Sequence, residues 1–322
     1  MELGVPEGAA FAGKVNFARK KGSNRLTGLS MALLGAVLWG VSGTAAQVLF
    51  HRYHFSAGWL VMVRMTASGI LLLLGASVQF GFRHTFLIWK SKGDVVGLLA
   101  FAVMGLLGVQ YSYFASILHG NAAMATLLQY LGPVFISVYL AFRSRRLPGR
   151  FDTMAVLLAI VGTACLVTDG HWRGLTVPPV AIFWGLVSAI TAAFYTVYPI
   201  RLLHRYGSGT VMGWGMLLGG VGMGLKTPPW DFTGIITLHS VLLVCFVVLF
   251  GTLIGFYLYL SSLKRISPSE AALVASGEPL SAAVVAMMLL HVRMGSVAWL
   301  GGACILLTVT LLPMRKSSND EG

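Results

Sequence analysis

The chain has 322 residues, of which 57% are hydrophobic and only 10% are charged. A soluble globular domain carries about 25% charged residues, so this composition excludes a water-soluble fold and indicates a membrane protein. The net charge of +13 could indicate nucleic-acid binding, but most basic residues lie in alternate segments between apolar stretches, as they do in the loops of membrane proteins.

Apolar stretches long enough to cross a bilayer as a helix recur along the whole chain. An all-α polytopic membrane protein is therefore the predicted fold class. We predict ten transmembrane helices, at residues 28–50, 57–80, 94–118, 121–142, 152–168, 179–200, 208–226, 238–263, 269–290 and 295–312.

Basic residues precede the first predicted helix in "KVNFARKKGSNR" and recur after every second helix. Such segments remain on the cytoplasmic side, so we predict a protein of the cytoplasmic membrane with both termini in the cytoplasm. Residues 1–26 have no apolar core and no cleavage site, and they are predicted to be a disordered cytoplasmic tail rather than a signal peptide. Residues 315–322 are predicted to be a second cytoplasmic tail.

Ten helices with both ends on one side divide into two halves of five. Because five is odd, the second half crosses the membrane in the opposite direction, which makes the halves inverted repeats. The motif "YSYF" of the third predicted helix matches "YLYL" of the eighth, and Pro133 matches Pro279 at the same offset. The predicted repeats are residues 27–170 and residues 178–314.

The chain resembles the EamA family of the drug/metabolite transporter superfamily. The resemblance covers roughly residues 27–314 and rests on the phrases "LLGAVLWGVSGTAAQVLF", "WLVMVRMTASGILLLL", "HGNAAMATLLQYLGPVF" and "ISPSEAALVASGEPLSAAVVAMMLL". It implies ten helices, two repeats and the export of a small metabolite; members of the family carry amino acids, other organic metabolites or drugs. Family members often end the fourth and ninth helices with an acidic residue, whereas this chain has "AFRSRRLPG" and "LLHVRMG" there.

Glu278 is the one carboxylate predicted to lie well inside a helix, and it directly precedes Pro279. It lies about 13 Å from the predicted helix start, near the midplane of the bilayer. A charge at that depth is costly and generally serves transport. Three interpretations remain open: proton exchange during the cycle, binding of a substrate ammonium group, or structural hydrogen bonding at the proline break.

Pro133 and Pro279 each remove a backbone N–H, which releases the carbonyl groups of Gln129 and Ala275. Lipid cannot satisfy these carbonyls, so both breaks are expected to face protein or a hydrated cavity, with a kink that serves only packing as the alternative. Arg64 is the one base embedded in a predicted helix. It is expected either to bond to backbone carbonyls or the membrane interface, or to recognise a substrate carboxylate.

Helical spacing places Trp39, Ser42 and Gln47 on one face of the first helix, together with small residues. That face suits a cavity wall or close helix packing. Tyr111 and Tyr113 form one pair of tyrosines two positions apart, and Tyr257 and Tyr259 form another. The two members of a pair cannot both face the cavity, and we favour Tyr111 and Tyr257.

Asn121 precedes the fourth helix, where we expect it to act as a cap. Gln129 lies one turn before Pro133 and is predicted to donate a hydrogen bond to substrate. The sequence contains no metalloprotease, nucleotide-binding or hydrolase motif, and its three cysteines lack metal-binding spacing. No catalytic residue, metal or cofactor is therefore predicted.

These features predict a secondary transporter that exports a small organic metabolite, such as an amino acid or a related amphipathic solute, by alternating access around a midplane cavity. The predicted partners are this solute and the lipid bilayer, with protons as a candidate coupling ion and no role for nucleic acid. The alternatives are a membrane-embedded enzyme acting on lipid or prenyl substrates and a scaffold that transports nothing.

Overall fold

The computed structural model describes residues 22–144, 150–171, 177–262, 265–266, 271, 274–291 and 294–318. These residues form helices joined by short turns, and the described part of the chain contains no β-strand. Most of the two predicted tails (residues 1–21 and 319–322) and the basic segments at 145–149 and 292–293 lie outside the described residues. Residues 22–26 and 315–318, predicted as tail, are helical.

The helices follow the order of the predicted apolar stretches. In chain order they are α1 (Gly22–His51), α2 (Ala57–Phe80), α3 (Phe82–Thr85), α4 (Lys92–Ala100), α5 (Gly108–His119), α6 (Ala122–Gln129), α7 (Gly132–Ser144), α8 (Arg150–Thr168), α9 (Pro179–Val197), α10 (Ile200–Tyr206), α11 (Ser208–Lys226), α12 (Leu238–Val248), α13 (Gly255–Ser262), α14 (Gly277–Leu290) and α15 (Ser296–Ser318). A short 3₁₀ turn, Leu87–Lys90, precedes α4.

Among the described residues, six helical spans are long and apolar enough to cross a membrane. Three of these spans each combine two of the helices named above: α4 with α5, α6 with α7, and α12 with α13. Three shorter apolar helices follow the same order, at Thr153–Thr168, Gly277–Leu290 and Ser296–Thr308. Helix α11, rich in glycine, covers the remaining predicted stretch. Each predicted stretch therefore contains helix, which agrees with a polytopic membrane fold, whereas the number of ten crossings stays a prediction.

The third, fourth, eighth and ninth predicted helices are irregular near their middles. A π-helical segment, Phe101–Leu107, joins α4 to α5, and a second, Leu249–Ile254, joins α12 to α13. Helix α6 stops at Gln129 and α7 starts at Gly132, just before Pro133, while a turn at Ser276 precedes α14 and Pro279. Each proline lies in the first turn of the new helix, where its missing N–H is tolerated.

The most extensive helix–helix contacts join α2 to α11 and α8 to α15. Glycine permits this approach: a Cβ atom on Gly162 of α8 would lie only 2.8 Å from the carbonyl oxygen of Gly301 on α15. Helix α1 packs against α13 and α14, and α9 packs in a corresponding way against α5 and the pair α6–α7. These contacts enclose the middle of the bundle, where the irregular segments meet.

Candidate functional site

A cavity of about 430 Å³ lies between α1, α2, α5, α9 and α13 and the two proline breaks. Its charged and amide side chains are Arg64, Gln110, Gln129 and Glu278. Its aromatic side chains are Trp39, Tyr113, Tyr130, Tyr195, Phe256 and Tyr259. The cavity reaches Thr196 near the end of α9 and Tyr259 near the end of α13, so it extends toward the end of the bundle where α1 begins.

Arg64 is 8% exposed, and its side chain is hydrogen-bonded to the π-helical segment Leu249–Ile254. Its Nε donates to Thr252 Oγ1 at 2.6 Å, and its Nη2 donates to the Gly251 carbonyl at 3.1 Å. Thr252 Oγ1 in turn donates to the Val247 carbonyl, five residues back. The guanidinium also lies 5.3 Å from the ring centre of Phe114. Nη1 has no partner among the described residues, so one donor group of a fixed cation remains for a ligand.

Glu278 lies in the first turn of α14, directly after the turn at Ser276 that interrupts the ninth predicted helix (hereafter the ninth-helix break). Its Oε2 is 3.3 Å from the hydroxyl of Tyr130. Tyr130 lies between α6 and α7, where the fourth predicted helix is interrupted (hereafter the fourth-helix break). The same hydroxyl donates to the Ala275 carbonyl at 2.6 Å. This is the carbonyl that Pro279 leaves without a helical donor. The first half of the chain thus supplies the hydrogen bond that the second half lacks.

Arg64 and Glu278 form no direct ion pair, although both line the cavity. The ion pairs found between described residues join Asp94 to Arg201 and Arg205, at the end of the bundle. The cavity therefore presents a cation and a carboxylate that do not neutralise each other by contact.

Three of the predicted substrate-binding residues of the first and fourth helices line this cavity. The Trp39 ring packs edge-on against Phe256, with centroids 5.1 Å apart. The buried Trp39 Nε1 and Ser42 Oγ have no hydrogen-bond partner among the described residues. Gln129 donates to Ser188 Oγ at 2.8 Å and so is already held within the protein.

Gln47 and Asn121 lie away from the cavity and cap α6. Gln47 Oε1 accepts from the Ala122 N–H at 2.9 Å, and Asn121 Oδ1 accepts from the Met124 N–H at 2.9 Å. Because the first four N–H groups of a helix have no partner within it, both side chains have a structural use. For Gln47 this contact favours helix packing, the second of the two alternatives, over a place in the cavity wall.

The cavity takes the other member of each tyrosine pair. Tyr111 packs against Trp184 at 5.4 Å, and Tyr257 is 69% exposed on the outer surface of the bundle. Tyr113 and Tyr259 line the cavity instead. A π-helical segment precedes each pair and rotates the following helix relative to a regular α-helix, which the count along the sequence did not include. Tyr113 also binds Thr126 Oγ1 at 2.8 Å.

A second polar cluster lies at the end of the bundle, apart from the cavity. Asp94 is 4% exposed and accepts from Arg205 Nη1 and from the Tyr206 hydroxyl, each at 2.8 Å. Burial, and then the bond to this carboxylate, raise the pKa of the Tyr206 hydroxyl. The cluster ties α4 of the first half to α10 of the second.

Tyr130 was not among the predicted site residues, although it contacts both Glu278 and the carbonyl oxygen of Ala275. Its position three residues before Pro133 was the available signal, because a side chain in a helix break can point away from the regular helix face.

The apolar helical bundle, with a central cavity that contains a few charged and amide side chains, defines a polytopic membrane protein. The sequence profile of the EamA-like transporter family matches this chain twice, at residues 26–168 and at residues 179–314. The chain therefore belongs to the EamA-like transporter family.

Two relatives and one solved structure extend this comparison. The uncharacterized inner membrane transporter YicL of Salmonella typhimurium is 37% identical over 297 residues, 91% of this chain and 97% of the relative. The uncharacterized transporter YcbK of Bacillus subtilis is 25% identical over 237 residues, 71% of this chain and 73% of the relative. A crystal structure with 17% identity has the same fold, with a TM-score of 0.58 over 92% of this chain and 98% of its own.

Proposed function

We propose that this member of the family is a secondary transporter that exports an amino acid or a related amphipathic solute. The observation that carries the proposal is a single cavity lined by Arg64 and Glu278, which do not pair directly. Family membership favours transport over the enzyme acting on lipid or prenyl substrates. The substrate class follows from the chemistry of the cavity.

A zwitterion matches the two charged groups. Its carboxylate would bind the free Nη1 of Arg64, and its ammonium group would approach Glu278, each as a charge-assisted hydrogen bond. The aromatic walls, with Trp39 and Tyr259 in contact at 5.3 Å between centroids, would cover an apolar side chain. A volume of about 430 Å³ falls within the usual range for small-molecule sites.

Alternating access is proposed to arise from two inverted repeats of five crossings each, residues 27–170 and 178–314. The two separate family matches support this division. The mirrored packing of α1 and α9 and the two π-helical segments support it as well. Unwound helices at corresponding positions of two repeats are where transporters of this design bind their substrates.

The proposed topology places both termini in the cytoplasm and the protein in the inner membrane. In that orientation, the end of the bundle toward which the cavity extends is the cytoplasmic end. A cavity that extends to the cytoplasm suits the loading step of an exporter. Glu278 is the carboxylate of the cavity lining, and it is the group through which protons would be coupled to export.

The test uses purified protein in liposomes preloaded with one amino acid, with counterflow of radiolabelled solutes measured at equal external concentrations. Each candidate is compared with its methyl ester and its deaminated analogue, which retain one of the two charged groups. We expect counterflow only with the zwitterion. Equal counterflow of the zwitterion and both derivatives would refute the two-charge site, and absence of counterflow with every tested metabolite would refute the proposed substrate class.

A further inference from the structure

The Tyr130 hydroxyl has two acceptors but only one proton. It lies 2.6 Å from the Ala275 carbonyl oxygen and 3.3 Å from Glu278 Oε2. The shorter distance indicates that the hydroxyl directs its hydrogen bond to the Ala275 carbonyl in this structure. Because a hydroxyl donates one hydrogen bond at a time, any change that draws the proton toward Glu278 leaves the Ala275 carbonyl without this donor.

The other groups around Glu278 do not replace this contact. The remaining charged and titratable side chains on the cavity wall are Arg64, Tyr113, Tyr195 and Tyr259. Arg64 binds Gly251 and Thr252 through two of its nitrogens and forms no ion pair with Glu278, and Tyr113 binds Thr126. Among the described residues, Tyr130 is the side chain that donates to the released Ala275 carbonyl.

We propose that Tyr130 is a positioning residue that couples the charge of Glu278 to the ninth-helix break, an inference that rests on the transport function proposed above. When Glu278 carries a proton, its own O–H donates to the Tyr130 oxygen, and Tyr130 continues to donate to Ala275. When Glu278 loses the proton, the carboxylate attracts the Tyr130 proton, and the Ala275 carbonyl is left unpaired. The break then rearranges and changes access to the cavity.

The ligand that operates this switch is a proton or an ammonium group. Either one neutralises the charge of the Glu278 carboxylate, so that the Tyr130 hydroxyl donates to the Ala275 carbonyl again. Substrate and proton would thus act on one hydrogen bond that joins the fourth helix of one half to the ninth helix of the other.

The first test measures access to the cavity without any substrate. Cys165, Cys245 and Cys304 are replaced by Ser, and Thr196, which lines the cavity, is replaced by Cys. The rate of maleimide labelling is measured from about pH 5 to about pH 9, and each rate is divided by that of the same protein with Glu278→Gln, which cancels the titration of the thiol itself. We expect the ratio to change at least about fivefold across this range, the lower end of typical coupling effects.

Tyr130→Phe should make this ratio constant within about 1.5-fold, because the shared proton is absent. Tyr198→Phe is the matched control, since Tyr198 stacks on Phe194 outside the cavity and should keep the parent profile. The proposal is overturned if the ratio of labelling rates does not vary with pH in the protein that retains Tyr130. It is also overturned if the Tyr130→Phe variant shows the same pH profile as that protein.

The second test is a double-mutant cycle with Pro279→Ala, which returns the N–H that a helix would offer to the Ala275 carbonyl. Tyr130→Phe should lower the apparent melting temperature of the parent by roughly 2–4 °C. In the Pro279→Ala background the drop should be less than half as large. Equal drops in both backgrounds overturn the assignment of Ala275 as the acceptor.

If Tyr130→Phe alone does not fold, Tyr130→Phe combined with Pro279→Ala should restore folding, and failure of this rescue also overturns the proposal. Neither measurement needs a transported solute. A wrong substrate class would therefore leave both readouts intact, and a failed switch would leave counterflow in the parent protein intact.

Discussion

Replacement of Arg64 by Lys keeps the positive charge but removes the planar guanidinium. Arg64 uses two nitrogens to bind Thr252 and Gly251 and leaves the third for a ligand. A lysine ammonium is a single point donor and cannot hold the π-helical segment and a carboxylate in the same geometry. The loss of one charge-assisted hydrogen bond is worth about 1.5–3 kcal/mol. We therefore expect zwitterion affinity to fall roughly 10- to 150-fold.

The assay is equilibrium binding of the counterflow substrate and of its methyl ester to purified parent, Arg64→Lys and Arg64→Met. The parent should prefer the free acid to the ester, Arg64→Lys should keep a reduced preference, and Arg64→Met should have none. Arg83→Met is the matched control, because it removes one positive charge from an exposed position outside the cavity. If the preference for acid over ester in Arg64→Met equals that of the parent, Arg64 does not contact the substrate carboxylate.

Three further changes test other parts of the structure. Gly301→Ala should lower the apparent melting temperature, because overpacking costs about 1–3 kcal/mol. The control Gly222→Ala should raise the melting temperature slightly, because a Cβ atom at Gly222 would meet nothing within 4 Å. Similar shifts in both variants would contradict the close approach of α8 and α15. Asp94→Asn should also lower the melting temperature, because it removes the negative charge that pairs with Arg205 at 2.8 Å, and no shift would mean that this ion pair adds little to stability. Pro133→Ala should slow counterflow with little change in binding affinity, and an unchanged rate would assign this break to packing alone.

The sequence was sufficient to predict the class of fold. Apolar stretches such as 57–80 and 238–263 have a length and hydropathy that only a membrane accommodates, and each contains a helix in the structure. The polar side chains within these stretches were also informative. Glu278 is costly in lipid, so an inward position was expected for it, while for Arg64 the membrane interface, backbone carbonyls and a substrate carboxylate all stayed open. In the structure both residues line the cavity.

The choice between neighbouring side chains could not be predicted, for two physical reasons. The π-helical segments before Tyr113 and Tyr259 change the rotation of the helix, and nothing in a residue count reveals them. Contacts between distant parts of the chain were invisible as well. Gln47 caps a helix that begins at Ala122, and Tyr130 binds a carbonyl that belongs to the other half of the chain.

The two proposed halves share a backbone design but differ in the side chains at their breaks. At the offset that relates Pro133 to Pro279, Glu278 corresponds to Gly132 and Tyr130 corresponds to Ser276. The matched prolines bring both breaks to one cavity, as alternation between two sides of a membrane requires. The unmatched residues place a hydroxyl donor on one break and a carboxylate on the other, and a solute with two different ends requires such a difference. If the two halves are inverted repeats, as proposed above, the matched prolines account for the shape of the cavity and the unmatched residues account for its chemistry.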